Sequence, residues 1–432
     1  MIGQEAKYLS CHKHSPLQIL VFILYGCLFS FIITKIPFFK QSGLSKWTLI
    51  GLFVLKVLAG LAYAYFYSLP AYRPNSDSFR FFNYSLQETD WLLKQPLAFF
   101  KDIFSYGYRD AGNIFIGENS YWNDLKSNII IKLLAICNVF TGKNYYADII
   151  FFNFLFFFGP IAFYKLMNEF FSTRKWLLLV AIFCMPSFLF WCSGIHKDGL
   201  LFSALGLAFW QFHQIMKHGF NIKKALIVLL CIVLVFALRN YVSLALILTF
   251  TSWFLACRFK GSVKPFVFLY SLAIVFFLAS SFLKPPYNLP KYVAVKQAEF
   301  LQLSGGSSIH VQQLNPTPKG LLAYFPSAVD MAFFRPHIAE IKNKSYVPAI
   351  LEIIFFLLLI VVCLVFRKKN CAVPPAMWSC WFFAFTILLI AGYTITFSGA
   401  IVRYRSLALP FILAPLIGMV YFKKNDTNKQ SN

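Results

Sequence analysis

The chain is short of acid. Its 432 residues carry 16 Asp and Glu against 40 Lys and Arg, and charged residues of both signs make up only 13%. A soluble domain of this size needs more charge on its surface, and a 59% hydrophobic content with 53 Phe is more than a globular core can hide. Disulfide and zinc frameworks are missing too. The ten cysteines are scattered, mostly within apolar runs, and no Cys-x-x-Cys pair occurs, so they read as small buried apolar residues. There is no Walker loop, no His-Glu-x-x-His and no Gly-x-Ser-x-Gly, so a P-loop ATPase, a zinc protease and a serine hydrolase lack motif support. No internal repeat or low-complexity tract is visible.

What is present is apolar length. Mean hydropathy is +0.65, and runs near the ~20 residues needed to cross a bilayer recur along the chain. They fall at about 16–34, 47–69, 147–167, 176–194, 198–216, 222–238, 241–258, 264–283, 347–366, 376–396 and 404–422. The expected fold is an all-α polytopic membrane protein with about 11 transmembrane helices. The run from Pro16 to Thr34 lacks a small-x-small cleavage site, so it reads as a retained span.

The net charge of +24 would point to nucleic acid in a soluble protein. Here no basic domain stands outside the spans, so the excess reads as orientation signal and as sites for anionic lipid or phosphate, with no nucleic-acid partner. The clusters are Lys35, Lys40 and Lys46; Lys165, Arg174 and Lys175; Lys217, Lys223 and Lys224; Arg258, Lys260 and Lys264; Arg367, Lys368 and Lys369; and Lys423 and Lys424. All fall on one side of the expected spans, which makes that side cytoplasmic. Lys7 and Lys13 precede the first span, but the later alternation puts the N-terminus outside and the C-terminus inside. The expected organisation is an extra N-terminal span and inner loop at 1–46, a transmembrane domain at 47–422 and a cytoplasmic tail at 423–432. Two long outer loops, 70–146 and 284–346, interrupt the domain. In the first, Trp91–Phe104 is rich in aromatics and interrupted by Pro96, and Asn128–Phe140, shorter than a span, reads as an interfacial or half-inserted helix. In the second, Ser304–His310 reads as flexible and Leu321–Phe334 as apolar.

The outer segments hold the residues capable of chemistry. Asp77, just beyond the second span, can take a proton from an attacking hydroxyl or cap the Phe-rich segment that follows. Gly194-Ile195-His196-Lys197-Asp198-Gly199 fills a tight turn. Its acid, base and cation can bind phosphate or orient an acceptor, or the turn can simply cap the next helix. Arg239 interrupts a long apolar stretch, where an arginine is costly unless it is paired, snorkels or meets an anion. Arg335, Arg403 and Arg405 lie on the same side and suit bidentate phosphate recognition, though each alone can reach lipid headgroups. His337 has no second metal-ligand candidate nearby and reads as a solvated loop histidine. Asp148 and Glu352 can pair with the arginines, and Lys56 reads as snorkelling to the cytoplasm.

Four segments together resemble a family. They are Asn75-Ser76-Asp77-Ser78; Pro186 through Trp191 and Gly194 to Lys197-Asp198; Phe334-Arg335-Pro336 with Glu340; and Arg403-Tyr404-Arg405 before an apolar span containing Pro410. They are similar to the GT-C glycosyltransferases and the neighbouring O-antigen polymerase type of bacterial polysaccharide assembly, over most of 47–422. The resemblance implies an enzyme of the bacterial cytoplasmic membrane. It would use a polyprenyl-phosphate-linked sugar at the outer face and transfer it to a glycan, lipid or protein. It makes Asp77 the base and Asp198 a second acidic position. His196, Lys197, Arg239, Arg335, Arg403 and Arg405 would then hold phosphate or substrate. The first outer loop lacks an Asp-x-Asp pair, so no cofactor is implied and a divalent metal has no support. The alternatives are a polymerase or ligase acting on lipid-diphosphate glycans and, in another class, a transporter or flippase of an anionic lipid.

Overall fold

A computed structural model describes residues 16–104, 120–259, 262–284, 287–303, 307–341, 346–366 and 373–420. Among them there is no strand, and an isolated bridge joins Ser308 to Phe397. The helices in chain order are α1 (Pro16–Lys35), α2 (Pro37–Lys40), α3 (Lys46–Ser68), α4 (Asp77–Lys94), α5 (Pro96–Lys101) and α6 (Tyr121–Thr141). Then follow α7 (Tyr145–Phe170), α8 (Lys175–Phe183), α9 (Pro186–Trp191), α10 (Lys197–His218), α11 (Ile222–Leu238) and α12 (Asn240–Arg258). The last are α13 (Lys264–Ala279), α14 (Leu289–Gln302), α15 (Pro318–Phe333), α16 (Val347–Val365), α17 (Pro375–Thr394) and α18 (Ser398–Gly418). Local sequence explains many of the starts. Proline, whose missing N–H costs nothing in a first turn, opens α2, α5, α9 and each helix from α13 to α17. Ser45, Ser76, Asn221, Asn288 and Thr317 cap α3, α4, α11, α14 and α15 with a side-chain oxygen.

Among the described residues, eight helices are long and apolar enough to cross a membrane: α1, α3, α7, α12, α13 with its 3-10 extension to Phe282, α16, α17 and α18. The chain is an all-α membrane protein. The other three expected spans fall on shorter or more polar helices. The run 176–194 is split into α8, of 9 residues, and α9, of 6, at the Cys184–Met185 step before Pro186. α11 has 17 residues, and α10 is polar at both ends. Large apolar side chains lie bare along α13 and α16, among them Phe268, Val275, Leu351 and Val365. Apolar faces of this extent need lipid, not water, around them.

The chain forms two compact units. The first holds residues 1–105, 127–157 and 193–196; the second holds 106–126, 158–192 and 197–432. In the first, phenylalanines fill the interior: Phe29 meets Phe151 at 4.8 Å, and Phe39 and Phe53 meet Phe157 at 5.4 and 5.8 Å between ring centres. The aromatic stretch 91–104 divides at Gln95, where Pro96 starts α5. α4 and α6 are locked by Lys132, which is buried, pairs with Glu88 (2.7 Å) and Asp102 (2.9 Å), and lies over the Trp91 and Phe99 rings. In the second unit, Phe209 of α10 packs against Phe250, Phe383 and Phe411 of α12, α17 and α18.

Several expectations change. Lys56 does not snorkel: it is fully buried and donates to Ser193 Oγ at 3.1 Å. Lys165, grouped by sequence with the basic cluster of Arg174 and Lys175, is a buried side chain of α7 over the Trp210 ring. The segment expected to be flexible is tied down where it is described. Ile309 N donates to Thr396 O (2.8 Å) and Ser398 N to Ser307 O (2.9 Å), beside the Ser308–Phe397 bridge. Lys7, Lys13, Lys260, Arg367, Lys368, Lys369, Lys423, Lys424, the tail 423–432 and residues 304–306 lie outside the described residues.

Candidate functional site

In the first unit, Ser76 caps α4, which leaves the Asp77 carboxylate uncommitted to the cap and in the helix's first turn. Its side chain is 35% exposed, pairs with Arg80 at 2.7 Å and lies 3.7 Å from His196 Nε2. The turn that carries His196 is bolted to α3 and the start of α7. Asn153 Nδ2 donates to Ser193 O at 2.8 Å, and Lys56 holds Ser193 Oγ. Two glycines allow this approach. A Cβ on Gly60 would lie 2.6 Å from Ser193 O, and one on Gly194 would lie 2.5 Å from Tyr63 Cγ. His196 is therefore fully buried beside an accessible carboxylate.

In the second unit, Asp198 stands in the first turn of α10 and has no exposed surface. Its two oxygens accept from two arginines: Oδ1 from Arg239 Nη2, and Oδ2 from Arg403 Nε at 2.6 Å. Arg239 occupies the extended residue between α11 and α12, which is why it reaches the start of α10. Tyr241 accepts from its Nη1 at 3.4 Å, and its guanidinium lies 4.0 Å from the Tyr404 ring centre. Arg403, on the second turn of α18, lies over Trp191 at 5.5 Å and keeps 18% of its side chain exposed. Lys197 is half-buried at the head of α10.

The remaining arginines have other partners. Arg335 donates to Asp330 through Nε (2.7 Å) and to Glu340 through Nη1 (2.5 Å). His337 is not simply solvated: its ring lies 2.9 Å from Asp330, and its N–H donates to Glu340 at 3.0 Å. Arg405 is 1% exposed; its Nη1 donates to the carbonyls of Ala332 and Arg335, and its Nη2 has no hydrogen-bond partner among the described residues. It braces the C-terminal end of α15. Among the described residues, neither candidate acid at the span ends forms a salt bridge with an arginine. Asp148 accepts from Thr141 at 2.7 Å, and Glu352 accepts from Ser187 N and Oγ, both at 2.5 Å.

Asp77 and His196 are thus together in one unit, and Asp198, Arg239 and Arg403 are together in the other. Sequence reasoning missed Lys56, Asn153 and Ser193 beneath the turn, and Tyr241, Tyr404 and Trp191 around the arginines. Except for Tyr241, two residues from Arg239, the role of each comes from a partner far along the chain. Among the described residues, no three His, Cys, Asp or Glu side chains converge as metal ligands. Comparison with family models, curated proteins and solved structures finds no match to the chain.

Proposed function

We propose that the chain is a membrane glycosyltransferase that takes its sugar from a polyprenyl-phosphate carrier at the outer face of a bacterial cytoplasmic membrane. The observation that carries the proposal is Asp198 shared between Arg239 and Arg403. Two guanidinium groups gathered on one carboxylate in a largely buried setting make the kind of cluster that recognises an anion, and a carrier phosphate supplies one. Asp198 also fixes both guanidinium groups before any ligand arrives, so little ordering remains to oppose binding.

The orientation follows from the far ends of the same helices. α10 starts at Asp198 and ends at Lys217; α11 starts beside Lys223 and Lys224 and ends at Arg239. The positive-inside rule assigns the lysine end to the cytoplasm and the arginine end to the outside. α10 and α11 then cross the membrane as well, and α8 with α9 forms one broken span. These three raise the eight apolar helices to the expected total.

The chemistry needs a base and a charge acceptor. A base takes the proton of the acceptor hydroxyl, the role that the resemblance gives to Asp77, and that oxygen bonds to the anomeric carbon. The bond from that carbon to the carrier phosphate breaks, and its electron pair leaves on the phosphate, which Arg239 and Arg403 stabilise. His196 beside Asp77 supports proton exchange there. Membranes carrying Asp77→Asn should lose transfer from polyprenyl-phosphate donors by on the order of 10²–10⁴-fold. Wild-type turnover in that variant removes Asp77 as the base. The products decide between readings. One added monosaccharide marks a transferase, a ladder of repeats marks a polymerase or ligase of lipid-diphosphate glycans, and lipid translocation without glycan product marks a transporter.

A further inference from the structure

A second polar recess lies in the second unit. A cavity of about 380 Å³ lies between the strap Ser307–Leu314 and α15. His310 and Gln312 line it from the strap, Ser327 and Asp330 from α15, and Arg335 from just beyond α15. Val311 and Met331 supply an apolar part of the wall. The volume is at the small end of ligand pockets, which run from about 300 to 1,000 Å³.

The strap is not loose. The hydrogen bonds at Ser307 and Ile309 fix it to the α17–α18 junction, and Leu314 N donates to Gln297 Oε1 at 2.7 Å. His310 and Gln312 are therefore held over α15.

Charge decides what the recess can take. Arg335 is offset by two carboxylates, Asp330 and Glu340. Of the lining residues, Arg335 is paired with Asp330, so an anion would meet a carboxylate beside the guanidinium, which disfavours a second phosphate site. A divalent cation also lacks its ligand set among the described residues. What fits is a neutral polyol. Planar amide, carboxylate, guanidinium and imidazole groups present hydrogen-bond donors and acceptors to ring hydroxyls, and the apolar wall meets a sugar's C–H face.

The recess is also tied to the arginine pair. Val311, Met331 and Tyr404 share one apolar cluster with Ala391, Ile395 and Ile401. Tyr404 is the ring against Arg239, and Arg405 hydrogen-bonds the carbonyl of Arg335. We propose that this cavity, lined by His310, Gln312, Ser327, Asp330 and Arg335, binds a neutral sugar of the acceptor glycan. The donor is held through its phosphate at the arginine pair. A recess that gives phosphate no advantage suits the substrate that presents a neutral sugar. The assignment to the acceptor rests on the transferase proposal; the assignment to a neutral sugar does not.

The test uses the full chain in detergent, stripped of native thiols and carrying Ser327→Cys. Maleimide labelling of that thiol is timed with neutral hexoses, deoxyhexoses, N-acetylhexosamines and their disaccharides, with sorbitol as an osmotic control. Inorganic phosphate and polyprenyl phosphate form the second arm. Slower labelling with a saccharide and unchanged labelling with both phosphates is the expected result. Protection by phosphate instead, or by no saccharide, overturns the proposal. In the transfer assay, Gln312→Ala should raise the KM for acceptor about tenfold, the loss of one good hydrogen bond, and leave kcat and the donor KM within about twofold. An unchanged acceptor KM also overturns it. Saccharide protection without any transfer activity sinks the transferase proposal and leaves the sugar site standing. Transfer activity without protection does the reverse.

Discussion

Asp198 accepts from two guanidinium groups and has no surface of its own. Taking out that carboxylate removes the ion-pair partner of the buried Arg239 as well as that of Arg403, whereas taking out Arg403 leaves Asp198 paired with Arg239. Asp198→Ala should therefore destabilise by about 3–5 kcal/mol, the usual cost of breaking a buried pair from one side. Arg403→Ala, at an 18% exposed side chain, should cost clearly less. Thermal unfolding in detergent checks the order, and equal melting shifts for the two variants contradict it. Lys132 shows the other way a buried cation is tolerated. Its two carboxylates are 23% and 28% exposed, so they keep access to water while the lysine is enclosed by Trp91 and Phe99.

At the scale of elements, close helix approach in the second unit depends on missing side chains. A Cβ on Gly206 of α10 would lie 2.7 Å from the Gly159 carbonyl carbon of α7, and one on Gly159 would lie 2.6 Å from Phe202 O. Backbone cannot yield as a flexible side chain can, and small residues at such crossings are how membrane helices gain contact. Gly206→Ala should cost about 1–3 kcal/mol by overpacking. Gly51→Ala, where nothing lies within 4 Å, is the control and should melt like the wild type. The sequence made much at this scale legible. Apolar length located the eight long helices, and Pro96 marked the α4–α5 break. Pro186 carried the same information within 176–194, but a criterion of apolar length alone passes over a proline. The site was legible by residue type and not by pairing. Asp198 finds Arg239 across 41 residues and Arg403 across 205, and no periodicity encodes such distances.

At the scale of the whole molecule, charge is sorted by partner. Lys35, Lys40, Lys46, Lys217, Lys223, Arg258 and Lys264 are exposed near helix ends, where a headgroup or water can meet them. Arg239, Arg405, Lys56 and Lys132 are buried and held by protein groups. Lys56 gives this sorting a consequence in time. It sits at the middle of α3, where a charged residue costs roughly 2.5–3.5 kcal/mol on insertion. Ser193, which receives its hydrogen bond, is synthesised 137 residues later. The growing chain therefore has to commit α3 to the membrane before this partner leaves the ribosome, and the helix enters as a provisional span. Nascent chains halted before Ser193 should integrate α3 less completely than longer ones, and Lys56→Leu should abolish the difference. Glycosylation mapping of ribosome-bound intermediates measures it; length-independent integration of the native sequence contradicts it.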